Sequence, residues 1–121
     1  MTKKIIFSSG GTGGHIFPAL AIGNKLQEKG FNILYIGSKY GIEEKFYKKS
    51  KLQYFLLNIR GIQRSKSLSA LFKNLFFPIK FVLSYISSIF LILKYKPLAI
   101  IGTGGYCSGL PLLAAITFKI P

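Results

Sequence analysis

A doubly wound α/β fold, a Rossmann-like parallel sheet with helices on both faces, is predicted by three features of this 121-residue sequence. Short apolar runs rich in β-branched residues alternate with helical patterns. One glycine-rich turn follows the first of those runs, and a second glycine-rich turn follows the last.

Residues 4 to 8 read as a short buried strand. Pro18 is placed in the first turn of a helix that continues through Ala19, Leu20, Ile22 and Leu26 to a cap at Gly30. "FNILYIG" gives a second strand ending at Gly37. Residues 42 to 50 form a short helix with Glu43 and Glu44 in its first turn and Lys48 and Lys49 in its last, the order that the helix dipole favours. "YFLLNI", residues 54 to 59, is a third strand, and "GIQRSKS" is a basic loop. From Leu68 to Lys96 the chain is strongly apolar, and Pro78 predicts two helical pieces meeting at or just before it. "LAIIG", residues 98 to 102, is a fourth strand; the loop "TGGYCSG" and a helical stretch, "LPLLAAITFK", follow. Sheets of this kind bind ligands at the carboxyl ends of their strands, where both glycine turns fall.

Charge narrows the partners. Lysine and arginine number 17 against 3 acidic residues, and no acid follows Glu44. Such a chain attracts nucleic acid, anionic lipid or phosphorylated substrates. Nucleic acid is the weakest of these, because the basic residues are spread over several elements and no RNP, zinc or helix-turn-helix signature accompanies them. The single cysteine, Cys107, has no partner for an internal disulfide and no neighbouring metal ligand, so a reducing compartment and no metal are expected. Cys107 is read as a packing residue. The apolar run at the N-terminus, Ile5 to Phe7, is too short for a signal peptide.

The stretch "FVLSYISSIFLIL" holds 13 uncharged residues between Lys80 and Lys94. That is below the roughly 18 to 20 needed to span a bilayer, which disfavours a transmembrane helix. A helix packed on the sheet accounts for most of it. The surplus of large side chains, including Phe72, Phe76 and Phe77, is flanked by Arg60, Arg64, Lys66, Lys73 and Lys80. An apolar patch with a basic rim suits the surface of an anionic leaflet, so both readings stay open.

A glycine-rich turn between strand and helix lets backbone amides approach an anion while the helix N-terminus adds partial positive charge. "GGTGGH", residues 10 to 15, fits, with Thr12 as a hydroxyl donor. No lysine follows as a P-loop requires, and the dinucleotide fingerprint fails for want of a third glycine and of an acid after the second strand. His15, the only histidine, is either a turn-ending cap or a general base, and a helix N-terminus favours the neutral imidazole that a base needs. Glu28 and the Glu43/Glu44 pair trail it, the pair lying on a helix read as remote from the turns. The second turn, "GTGGYCSGLP", repeats the design and offers Tyr106 and Ser108 to sugar hydroxyls or phosphate oxygens.

"GGTGGHIFPALAI", "GFNILYIGSKYGIEEKF", "IRGIQR" and "IIGTGGYCSGLPLLAA", in that order, resemble the N-terminal half of the family 28 bacterial peptidoglycan glycosyltransferases, two-domain enzymes of the GT-B type. The resemblance covers residues 1–121 and implies an acceptor-side domain whose C-terminal UDP-sugar domain is absent, so that the chain alone is inactive. It implies inverting transfer of GlcNAc from UDP-GlcNAc to the 4-hydroxyl of the muramoyl sugar of undecaprenyl-linked lipid I. The product is lipid II, made without metal or cofactor by a peripheral enzyme at the cytoplasmic face of the plasma membrane. Thr12, Gly13 and Gly14 carry over as donor contacts, and His15 as the candidate base. Gly104, Gly105, Tyr106 and Ser108 carry over to the acceptor diphosphate, and the patch at residues 60 to 80 to an anionic membrane surface. Two alternatives remain: the acceptor and membrane-anchoring half of another, or split, GT-B lipid glycosyltransferase, or a basic membrane-binding or nucleic-acid-binding module.

Overall fold

The computed structural model describes residues 3–10, 13–50, 52–59, 67–105 and 108–121. Over these the chain runs β1 (Lys4–Ser9), α1 (Gly13–Glu28), β2 (Asn32–Ser38), α2 (Glu43–Lys49), β3 (Tyr54–Leu57), α3 (Leu68–Leu75), α4 (Phe77–Tyr95), β4 (Ala99–Gly104) and α5 (Gly109–Thr117). The strands form one parallel sheet in the order β3-β2-β1-β4. This is the expected α/β fold, with each strand within two residues of its predicted bounds.

Successive side chains of a strand point to opposite faces, and the apolar runs use both. Ile5, Phe7, Ile33 and Tyr35 pack on one face with Ile16 and Ala19 of α1 and Tyr47 of α2. Ile6, Ile36, Leu57 and Ile100 pack on the other with Ile92 of α4 and Leu110, Ala114 and Ala115 of α5.

Two helix expectations are corrected. Helix α1 starts at Gly13, so Pro18 lies inside it rather than in its first turn. The glycines themselves enter the helix, and the proline sits just past the turn whose amides have no intrahelical partners; it has no proton to give the Gly14 carbonyl. The apolar stretch does divide at Phe76, before the proline, into α3 and α4. But α4 is not mainly a buried cover for the sheet. Its buried positions are Ser84, Ser88 and Ile92, while Ile79, Val82, Leu83, Ile86, Phe90 and Leu93 face outward. Ser88 Oγ donates to the Ser84 carbonyl at 2.9 Å, so one inward hydroxyl is satisfied within the helix itself.

At 19 residues, α4 is longer than its uncharged run and is long and apolar enough to cross a membrane by length and composition. Its inner stripe nevertheless joins the core beneath the sheet, which ties it to the side of the domain.

Candidate functional site

The crevice of an open α/β sheet forms where the chain leaves two adjacent strands in opposite directions. In the order β3-β2-β1-β4 that point lies between β1 and β4, and these strands carry the two glycine turns. Their pairing shifts register between Ser8 and Ser9, which sets Ser9 opposite Gly104. Beyond it the turns are joined directly, Gly10 N donating to the Gly104 carbonyl at 3.3 Å. Gly105 has φ +94°, and a Cβ on it would overlap the Gly10 carbonyl oxygen. Glycine at 105 therefore meets two needs, a left-handed backbone and a side-chain-free approach.

His15, in the first turn of α1, reaches across to the second turn. Its Nδ1 lies 3.3 Å from the Thr103 carbonyl oxygen, while Thr103 Oγ1 donates to the His15 carbonyl at 2.6 Å. A carbonyl only accepts, so the first contact is a hydrogen bond when Nδ1 carries the proton, and that tautomer leaves the ring's lone pair on Nε2. His15 is half-buried, and Gly104, with φ +116°, leaves the room its ring fills.

The remaining predicted residues fall unevenly. Gly13 and Gly14 open α1, where the first amides have no carbonyl partner within the helix. Ser108 is buried, and its Oγ donates to the Gly105 carbonyl at 2.9 Å while its own carbonyl accepts from Ser8 Oγ at 3.3 Å. Its proton is thus engaged in shaping the second turn. Thr12, Tyr106 and Cys107, and Arg60, Arg64 and Lys66 of the basic rim, lie outside the described residues.

Glu28 and Glu44 form surface ion pairs with Lys25 (3.6 Å) and Lys48 (2.8 Å). Glu43 is fully buried, with Oε1 accepting from Ser38 N at 3.3 Å, and so stands at the end of β2. The signal for this was the pair of flanking glycines: a Cβ on Gly37 or Gly41 would strike the Glu43 side chain. Among the described residues no group of three or more His, Cys, Asp or Glu side chains is placed to hold a metal.

The apolar patch is real and exposed. Leu68, Phe72, Leu75 and Ile79 are 58 to 85% exposed, and Phe72 and Phe76 form an edge-on pair at 5.0 Å. Lys73 is exposed beside Phe72, and Lys80 is half-buried on the first turn of α4. Phe77 departs from the predicted set: it turns inward and packs against the core of the α4/α5 side.

Residues 5–121 match the glycosyltransferase family 28 N-terminal domain. A UDP-N-acetylglucosamine--N-acetylmuramyl-(pentapeptide) pyrophosphoryl-undecaprenol N-acetylglucosamine transferase of Latilactobacillus sakei is 40% identical over 118 residues, 96% of this chain and 32% of its own length. A protein of the same name from Haemophilus ducreyi is 36% identical over 100% of this chain and 33% of its own length. The crystal structure of Acinetobacter baumannii MurG superposes with a TM-score of 0.80 at 30% identity, covering 98% of this chain and 34% of that one. SsfS6, a Streptomyces glycosyltransferase, shares the fold at a TM-score of 0.66 and 15% identity. The chain spans about a third of the length of the curated relatives it matches.

Proposed function

Because the chain belongs to glycosyltransferase family 28, through that family's N-terminal domain, we propose that it is the acceptor-side half of an inverting transferase moving GlcNAc from UDP-GlcNAc to lipid I. The carrying observation is the direct pairing of the two glycine turns, Gly10 with Gly104 and Gly105, at the switch point of the sheet. Both substrates named by the relatives contain a diphosphate, or pyrophosphoryl, group. A glycine-lined crevice next to a helix N-terminus offers such a group main-chain donors and positive dipole.

In this reading His15 Nε2 accepts the proton of the acceptor's 4-hydroxyl as that oxygen bonds the anomeric carbon from the face opposite UDP. The bond from the anomeric carbon to the diphosphate oxygen breaks, and UDP leaves with the electron pair. The Thr103 carbonyl holds Nδ1–H and steadies the imidazolium that forms. Amides of the first turn, with Thr12, Gly13 and Gly14, face the donor diphosphate. The second turn, through Gly104, Gly105, Tyr106 and the turn-shaping Ser108, faces the acceptor diphosphate. The nucleotide pocket is supplied from outside residues 1–121, in cis or in trans. The exposed α3/α4 face with Lys73 and Lys80 rests on the cytoplasmic leaflet of the plasma membrane, where an undecaprenyl-linked acceptor resides.

The test is GlcNAc transfer from UDP-GlcNAc to a lipid I analogue, by the 121-residue chain alone and with a family donor-side half supplied. Turnover is expected only in the second case. Its absence there sinks the transferase reading, and its presence in the first sinks the half-site reading.

A further inference from the structure

Beside the carboxyl half of β3, a half-enclosed pocket of about 140 Å³ lies between β3 and α4. Its polar lining is Lys39 from the turn after β2, Asn58 from the end of β3, and Lys80, Ser84 and Ser87 from α4. No carboxylate lines it. The donors are ordered by a relay: Lys80 Nζ donates to Tyr40 Oη at 3.0 Å, and Tyr40 Oη donates to Asn58 Oδ1 at 2.6 Å. Tyr40 takes up one lone pair of Asn58 Oδ1, the Asn58 NH₂ group remains a donor, and lysine ammonium groups only donate.

A cavity lined by two lysines and an asparagine, with no acid among its lining residues, favours an anion. Its volume is below the range of about 300 to 1,000 Å³ usual for organic-ligand pockets, which limits the anion to a small head. Leu83 and Phe55 also line it, 59 and 40% exposed, and Leu83 continues into the outward apolar row of α4 at Ile79, Val82 and Ile86. The charged cavity therefore borders an uncovered hydrocarbon surface.

We infer that this pocket binds one phosphate group, that of an anionic lipid headgroup whose acyl chains lie along the outer row of α4. The phosphate clause stands on the pocket alone; the lipid clause rests on the membrane reading above. In this arrangement the α4 face supplies apolar contact, and Lys39 and Lys80 select headgroup charge. That division explains why the helix turns serines inward and large apolar side chains outward next to a polar cavity.

The experiment compares the purified protein with a Lys39→Gln/Lys80→Gln variant and with Lys25→Gln/Lys29→Gln, which removes the same charge from the end of α1. One arm titrates inorganic phosphate by calorimetry; the other floats the protein with phosphatidylglycerol-containing or pure phosphatidylcholine vesicles. Lys39→Gln/Lys80→Gln is expected to weaken both phosphate and phosphatidylglycerol-vesicle binding roughly tenfold, with Lys25→Gln/Lys29→Gln changing either by less than about twofold. Lys39→Arg/Lys80→Arg should retain binding. Equal losses in the two glutamine variants, or none in either, overturn the site. Phosphate binding that depends on Lys39 and Lys80 without any vesicle binding overturns the lipid clause and the membrane reading together, leaving a free-phosphate site. Vesicle binding indifferent to Lys39→Gln/Lys80→Gln overturns the inference while the membrane reading survives.

Discussion

His15 and Thr103 clasp each other twice, side chain to main chain in both directions: Thr103 Oγ1 donates to the His15 carbonyl at 2.6 Å, and His15 Nδ1 stands 3.3 Å from the Thr103 carbonyl. This links the first turn of α1 to the end of β4 and orients the imidazole. If His15 is the base, His15→Ala lowers kcat by about 10²-fold or more while the KM for UDP-GlcNAc changes little. Thr103→Val keeps the ring but frees its anchorage, so a smaller loss of kcat is expected, with a loss of about 1 kcal/mol in stability. Steady-state kinetics on the assembled transferase check both. A His15→Ala enzyme with undiminished kcat would remove the residue from the chemistry.

The second glycine turn predicts a graded series. At Gly105 a Cβ meets the Gly10 carbonyl and the backbone is left-handed; at Gly30 φ is +90° but nothing lies within 4 Å; at Gly109, in the first turn of α5, neither obstacle exists. Gly30→Ala should cost about 1 to 2 kcal/mol for the left-handed backbone alone. Gly105→Ala should cost more, because the strand pair itself must move apart. Gly109→Ala should be neutral or stabilising by up to about 1 kcal/mol, through the unfolded chain. Urea unfolding midpoints rank the three, and Gly105→Ala equal to Gly30→Ala would show that the turns are not in contact.

Alkaline pH should loosen the core through two tyrosines. Burial pushes the Tyr35 and Tyr95 hydroxyls above the usual tyrosine value of 10.0, and neither makes a hydrogen bond among the described residues. Above pH 10 the unfolded chain gives up these protons more readily than the folded one, so the native state holds more protons and stability falls as pH rises. The contribution is complete below the unfolded value and is lost as pH climbs through the folded one. Tyr35→Phe and Tyr95→Phe should each flatten that decline and leave stability at pH 7 unchanged or slightly raised, since no bond is removed. Denaturant titrations from pH 7 to 11 measure it; a steeper alkaline decline in the variants would contradict the assignment.

Periodicity and glycine placement made the sheet, its order of elements and the two turns legible, because these depend on local backbone preference. Contacts between distant segments were not legible. Nothing in "TGG" foretells that Gly104 makes room for a histidine 89 positions earlier, or that Thr103 orients it. The inward serines of α4 were hidden for a related reason: a run of apolar residues reads as core, and only the position of the sheet shows which stripe faces it. Ser108 invites a ligand reading because its hydroxyl stands beside glycines; that its proton goes to the Gly105 carbonyl within the turn is a contact only the fold shows. Pro18 predicts the first turn of a helix because proline favours that position, yet α1 begins five residues earlier at Gly13.

Glu43 and Glu44 divide into a buried acid and a surface one. In the sequence it and Glu44 are equivalent partners for a helix dipole; in the fold Glu43 is sealed against Gly37 and Gly41 and accepts from Ser38 N, while Glu44 meets Lys48 at the surface. The neighbouring Ser38 hydroxyl donates to the Ile59 carbonyl at 2.6 Å, so the ends of β2 and β3 hang on this cluster. Glu43→Ala should destabilise by about 1 to 3 kcal/mol, because it empties a packed site and leaves the Ser38 amide without this acceptor. Glu43→Gln keeps an oxygen for that amide and should lose less, and Glu44→Gln should leave the unfolding midpoint almost unchanged. Transfer activity at a temperature where each variant is folded should survive Glu43→Gln. A Glu43→Gln protein of native stability that has lost turnover would make this carboxylate the rival of His15, and its burial beside the strand ends would then need a path to substrate.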